Sequence, residues 1–406
     1  MKNLTYKLSK ILIMFLIFIL LQSNLLAFEF NINSKEVVLI NLNDQKIIYE
    51  QNANQKTYIA SLTKIMTAII ALENISDLNT KVSIIKDDVK DLPLDTALSD
   101  LKINQEYTYL DLLYGLMLPS GADCANALAR LTFKSQEAFI TKMNEKAEEL
   151  GMINTSFNNT HGLDDEKNYS TAIDLSKLFL YAIKNETFYK IISTMKYQNL
   201  EHTISFYLNK FNLKMAYLIG GKTGNDTKAG FCLASIAEAN NIKYMLITLN
   251  APYSKKTPNH FIDAKNIYEY YISNYNYQTI FQKNSILKEF KTKYLKEESI
   301  VIKAQEDYTY YLENDYQDNL NIVYKGTDTI TKNNQKSDTL GTLYLYYNNE
   351  LLDEIPLVLD INPHFSLLKY LCAHKLLLGA ILLSIIIIIT IVIIILKKHQ
   401  KKIKYE

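Results

Sequence analysis

A serine three residues ahead of a lysine, Ser61-Leu62-Thr63-Lys64, can carry out acyl transfer if the amine takes the hydroxyl proton. A lysine serves as that base only where burial or a second cation disfavours its charged form. The spacing alone says little, because it occurs six times, at Ser61, Ser83, Ser99, Ser193, Ser285 and Ser366. Context separates Ser61 from the rest. It follows two strand-like runs, Val37 to Asn41 and Lys46 to Tyr49, and it opens the apolar stretch Ile65 to Leu72. That predicts a hydroxyl at a helix N-terminus, where backbone N–H groups and the helix dipole stabilise developing negative charge. A spacing of i,i+3 keeps Lys64 on the same face, within reach of the proton.

Lys222, in Ile219-Gly220-Gly221-Lys222-Thr223-Gly224, is the candidate for the second cation. Lysine and threonine suit a substrate carboxylate, and glycines let a substrate backbone lie close. The chain has only 11 glycines, so a cluster at 220, 221 and 224 is informative. The triplet Lys222-Thr223-Gly224 is expected just ahead of an apolar strand that begins at Gly230. A third segment, Leu118-Pro119-Ser120-Gly121-Ala122-Asp123, precedes a helix. Ser120 is placed to relay protons between Lys64, Lys222 and a leaving group. Standing alone, it is more simply a helix N-cap. No His-Glu-x-x-His or Cys-x-x-Cys pattern occurs, so nothing in the sequence calls for a metal or a cofactor.

These residues need a mixed scaffold. Strand-like runs at Glu36 to Asn41, Lys46 to Tyr49, Gly230 to Glu238 and Lys243 to Asn250 bracket a series of helical patterns. Those patterns cover Thr63 to Glu73, Leu110 to Met117, Asp123 to Thr132, Gln136 to Leu150 and Thr171 to Ile183. Asn259 to Tyr275 is a closing helix. Strands at both ends with helices between them predict an α/β domain whose sheet is completed by the two ends. After Ser285 the pattern changes to short alternating segments separated by Asn, Asp and Gly, the signature of a small all-β domain.

The ends carry addresses. Lys2, Lys7 and Lys10 precede the apolar run Ile11 to Leu21, and Ala27 closes a small-residue exit, as in a secretory signal peptide. Leu376 to Leu396 is long enough to cross a bilayer, and Lys397, Lys398, Lys401, Lys402 and Lys404 follow it. The expectation is an exported body with its C-terminus inside. Without residues 1–27 and 397–406, the formal charge of +1 becomes 36 basic against 42 acidic side chains, or −6. An acidic exported body gives no support to nucleic-acid binding. Cys124, Cys232 and Cys372 are too few for a disulfide framework and are expected as reduced, mostly buried thiols.

Ser-x-x-Lys, a Ser-x-Asn-type motif and Lys-Thr-Gly, in this order, form the signature of β-lactamases and penicillin-binding proteins. Over roughly Glu36 to Asn250 the chain resembles the low-molecular-mass penicillin-binding proteins that are serine-type D-alanyl-D-alanine carboxypeptidases. The likeness includes Tyr49-Glu50-Gln51-Asn52-Ala53 ahead of Ile59-Ala60-Ser61-Leu62-Thr63-Lys64. It also includes Asn159-Thr160-His161-Gly162-Leu163 and the run from Lys222 to Gly230.

The resemblance implies a β-lactamase/transpeptidase-like α/β domain, an antiparallel sheet flanked by helices, over 28–280. A small β domain at 281–362, a linker at 363–375, a membrane helix at 376–396 and a basic cytoplasmic tail at 397–406 would follow. It implies that Ser61 attacks the terminal D-Ala-D-Ala bond of peptidoglycan stem peptides, with Lys64 accepting the proton. Backbone N–H groups of Ser61 and Asn225 would form the oxyanion hole. Ser120 would protonate the departing D-alanine, while Lys222 with Thr223 would hold its carboxylate and Gly224 would let the substrate backbone lie close. β-Lactams would acylate the same serine. His161 falls in a segment that the resemblance makes a structural loop, not part of a Ser-His-Asp triad.

One departure stands out. Ala122 occupies the position of the second motif's asparagine and cannot hydrogen-bond lysine or substrate; Asn126, one turn along, is the candidate substitute. The competing readings are a β-lactamase, a D,D-endopeptidase, and a degenerate relative that binds wall peptides or acts as a scaffold.

Overall fold

The computed structural model describes residues 30–90, 92–94 and 96–403; the expected signal peptide and the last residues of the basic tail lie outside them. The chain divides into two compact units, the first ending at Ser273 and the second beginning at Asn274.

The first unit is built on β1 (Glu36–Asn41), β2 (Lys46–Gln51), β3 (Leu218–Asp226), β4 (Gly230–Ala239) and β5 (Ile242–Ala251). They form one antiparallel sheet in the order β2-β1-β5-β4-β3. The two ends of the unit do complete the sheet: Val38 of β1 lies opposite Ile247 of β5. All six residues of β1 are buried, which explains its unbroken apolar run where a half-exposed strand would alternate.

The helices are α1 (Thr63–Asn74), α2 (Tyr109–Met117), α3 (Ala122–Phe133), α4 (Gln136–Glu149), α5 (Ala172–Ala182), α6 (Glu186–Ser193), α7 (Thr203–Lys210) and α8 (Asn259–Asn274). Four of their starts are written in the sequence as oxygen-bearing caps. Thr108, Ser135, Thr171 and Asn185 each accept a first-turn N–H, and Asp111 completes a reciprocal box with Thr108. Thr63 to Ala71 of α1 are all buried, as an apolar helix at the centre of a domain must be. Pro119 cannot continue α2, and Ser120, at a φ of 71°, turns the chain into α3. The chain's one arginine, Arg130 on α3, grips Asp88 with Nε and Nη2, both at 2.7 Å, tying the short turn Lys86–Val89 to α3.

The second unit is all-β. Tyr275–Phe281 pairs with Tyr308–Glu313, and Ile286–Thr292 pairs with Ser299–Lys303 and with Thr329–Ile330. Leu320–Gly326, Thr339–Tyr347 and Glu350–Val358 make a three-stranded sheet. Phe290, Leu295, Ile300, Ile302, Leu345 and Leu357 are among the residues of its core. Because Tyr275–Phe281 pairs within this unit, the boundary falls earlier than the expected 280/281. Two helices follow, α9 (Leu367–Ala373) and α10 (Lys375–Ile403). Within α10, Lys375–His399 is long and apolar enough to cross a membrane.

Candidate active site

Ser61 lies on a 3₁₀ turn, Ala60–Leu62, that runs directly into α1. Lys64, on the first turn of α1, places Nζ 3.0 Å from Ser61 Oγ and also donates to the carbonyl of His161. Its side chain is almost wholly buried. Burial pushes the amine down to about 7, and the Asp123 carboxylate and Cys124 pull it only partly back. An amine of that basicity exchanges its proton near neutrality, as a general base must.

Lys222 enters from β3, 0% exposed. Its Nζ donates to Ser120 Oγ at 2.9 Å and to the carbonyl of Thr223 at 2.7 Å. Burial, reinforced by repulsion from Lys64, holds it well below the usual lysine range. Two hydroxyl–amine pairs, Ser61–Lys64 and Ser120–Lys222, therefore share one buried centre. The sequence placed Lys222-Thr223-Gly224 ahead of a strand; the structure places the triplet inside β3, at the edge of the sheet. Gly220, Lys222 and Gly224 share one face of that strand. A Cβ at 220 would sit 2.1 Å from the Ile192 carbonyl oxygen, and one at 224 would sit 3.1 Å from that of Ile59. The two glycines thus let β3 press against the helical layer with Lys222 between them.

The supporting contacts were not legible in the motifs. Thr203, at the start of α7, hydrogen-bonds Thr223 through their hydroxyls at 2.7 Å, and its backbone N–H donates to the Leu118 carbonyl at 3.1 Å. It joins the second motif to the third. His202 beside it is buried, and burial together with Lys222 pushes its imidazole down to about 3. Asp123 accepts from the backbone N–H groups of Ser99 and Leu101 and fixes the loop over α3. Thr67 donates to the Thr160 carbonyl at 2.6 Å, so the segment Asn159 to Leu163 is fastened to α1 beside Lys64.

His161 serves this site through its backbone. Its Nδ1 accepts from the Leu163 N–H at 3.2 Å, and burial, then Lys64, pushes the ring down to about 3. Asn126 does not stand in for the missing asparagine: its side-chain amide faces the Asp88 carbonyl at 3.4 Å. Ala122 is fully buried at the start of α3. Asn225 lies in β3 opposite Phe231, with its side chain exposed. Cys124 and Cys232 are buried free thiols, and Cys372 is exposed.

Residues 23–253 match the D-alanyl-D-alanine carboxypeptidase family, and residues 275–362 match the C-terminal domain of penicillin-binding protein 5. The chain is 29% identical over 332 residues to D-alanyl-D-alanine carboxypeptidase DacF of Bacillus subtilis, spanning 80% of this chain and 84% of that one. It is 30% identical over 250 residues to a D-alanyl-D-alanine endopeptidase of Escherichia coli, spanning 58% and 76% respectively. Penicillin-binding protein 5 of Haemophilus influenzae superposes with a TM-score of 0.60 at 21% identity, over 83% of this chain and 99% of that one, a likeness of fold. The chain belongs to the D-alanyl-D-alanine carboxypeptidase family of serine peptidases.

Proposed function

We propose that this member of the carboxypeptidase family removes the terminal D-alanine from peptidoglycan stem peptides through an acyl-enzyme on Ser61. The observation that carries the reading is the 3.0 Å contact between Ser61 Oγ and a buried Lys64 amine whose pKa lies at about 7. Ser61 Oγ attacks the penultimate D-Ala carbonyl while Lys64 takes its proton. The N–H groups of Ser61 and Asn225 receive the oxyanion. Ser120, held by Lys222, passes a proton to the leaving amine as the C–N bond breaks. Thr223 and Thr203 present paired hydroxyls to the terminal carboxylate, with Lys222 adjoining. Water then attacks the ester with Lys64 again as base, and the shortened peptide leaves. Penicillins offer Ser61 a strained amide and label the same oxygen.

The Ser120–Lys222 contact stands at 2.9 Å with alanine at 122, which favours a working relay over a degenerate binding protein. The E. coli endopeptidase keeps cleavage of cross-links as a second reading, because the same groups would accept that bond. With Lys375–His399 spanning the membrane, the catalytic unit works on the extracytoplasmic side.

The test is D-alanine release from a pentapeptide ending in D-Ala-D-Ala, together with fluorescent penicillin labelling, using the full chain in membranes. Both are expected, and Ser61→Ala is expected to lower each by about 1000-fold or more. A wild-type chain that takes up penicillin but releases no D-alanine would overturn the carboxypeptidase assignment; one that does neither would overturn the acyl-enzyme.

A further inference from the structure

The segment 363–375 lies between the β unit and the membrane span, where a slack tether would serve. It is fastened instead. Leu295 and Phe365 form an antiparallel bridge, Lys296 N–H donates to the His364 carbonyl at 2.7 Å, and Ser366 N–H donates to that of Tyr294 at 2.8 Å. Lys369 Nζ reaches the Lys296 carbonyl at 3.2 Å. The rings of Tyr294, Phe365, Tyr370 and His374 pack together, with Tyr294 and Tyr370 5.2 Å apart and Tyr370 and His374 4.2 Å apart. One residue, His374, separates α9 from α10, so α9 sits within a few ångströms of the span's entry, about 3.5 Å per residue.

Two features of this base face outward. On α9, Leu367 and Leu368 are 61% and 74% exposed. Around them stand Lys293, Lys296, Lys332, Lys369 and Lys375, all exposed, with no ion pair to any of them among the described residues. They are one patch: Lys332 Nζ lies 5.4 Å above the Phe365 ring, and Lys293 Nζ lies 5.4 Å from that of Tyr294. Of the two carboxylates beside Lys296, Glu297 is engaged by His364 at 2.8 Å, and Glu298 is exposed with no ion pair to these lysines among the described residues. Lys293, Lys296 and Lys332 arrive through folding, so a count of charges flanking the span in sequence misses them.

Aromatic rings and lysine ammonium groups beside exposed leucines, at the mouth of a membrane helix, suit the headgroup layer. We propose that this base is a foot that binds anionic phospholipid: Leu367 and Leu368 seat in the interfacial layer, and the five lysines hold headgroup phosphates. The proposal rests on α10 spanning the membrane.

The chain has no tryptophan, so Leu368→Trp supplies a single reporter. The full-length variant is placed in vesicles of equimolar phosphatidylglycerol and phosphatidylcholine, with bromine on the acyl chains of one lipid or the other. Bromine on phosphatidylglycerol is expected to quench at least about twofold more, since lysines near the surface favour an anionic lipid. Changing Lys293, Lys296, Lys332 and Lys369 to Gln should equalise the two, and changing them to Arg should retain the difference. Equal quenching in the unaltered foot, or none from either lipid, overturns the proposal. Extraction of the chain by alkaline carbonate would instead overturn the spanning helix on which it rests.

Discussion

Lysine does opposite work at the centre of the first unit and at the base of the second. Lys64 and Lys222 are sealed from water, touch hydroxyl and carbonyl oxygens, and are pushed toward the neutral amine. Lys293, Lys296, Lys332, Lys369 and Lys375 are exposed, open to solvent or to headgroups. The side chain is the same; hydration decides whether it is a base or a charge. Arg130 marks the boundary of the rule. It is partly buried, yet a guanidinium stays charged in proteins, and the Asp88 carboxylate facing it strengthens its hold on the proton. At the active centre Asp123 turns its oxygens to the backbone N–H groups of Ser99 and Leu101 and pulls Lys64 only partly back toward the charged form.

A single substitution type separates the regions. Lys64→Arg retains the charge but cannot surrender a proton, so penicillin labelling of Ser61 is expected to slow by about 100-fold or more. Labelling close to wild type would remove Lys64 from the role of base. The pH profile sharpens the same point. Below about 7 Lys64 holds a proton and has no lone pair to offer, so kcat/KM should rise with pH through that region. Well below it, the fall should approach about tenfold per pH unit; a flat profile between pH 5 and 9, on the order of the window that matters, would contradict a titrating base. Smaller is the effect of Thr203→Val. Losing one hydroxyl from the carboxylate seat should raise KM about 3- to 10-fold and leave kcat nearly unchanged, the worth of one hydrogen bond. Smallest of all, arginine at 293, 296, 332 and 369 together should leave D-alanine release within about twofold of wild type, since exposed cations interchange where only charge is asked of them. A large loss there would mean that the two lysine populations are coupled.

Much of the centre was legible because its residues lie in short motifs. Ser61, Lys64 and Lys222 were nameable from spacing and context, Ser120 only through the family signature, and the structure pairs Ser61 with Lys64 and Ser120 with Lys222. The strand beneath Lys222 was hidden: three glycines within five positions argue against a strand locally, and pairing with β4 makes it one. Thr203 carried no signal, since its value lies in meeting Thr223 and Leu118 across the fold. Asn126 shows the converse. Sequence spacing put it one turn from Ala122, but on α3 its amide turns to Asp88. In the second unit the helical expectation Asn259 to Tyr275 takes in the first residue of the strand Tyr275–Phe281, and the pattern assigns no element to the rest; only its partner, Tyr308–Glu313, shows where it belongs.

Ser120 occupies a left-handed backbone conformation, which costs an L residue about 1 kcal/mol and glycine almost nothing. Were folding the sole demand, drift would carry this position toward glycine. A serine there fits the proton relay proposed for it. In a descendant of this chain released from the need for turnover, glycine at 120 would relieve the backbone and leave the fold intact.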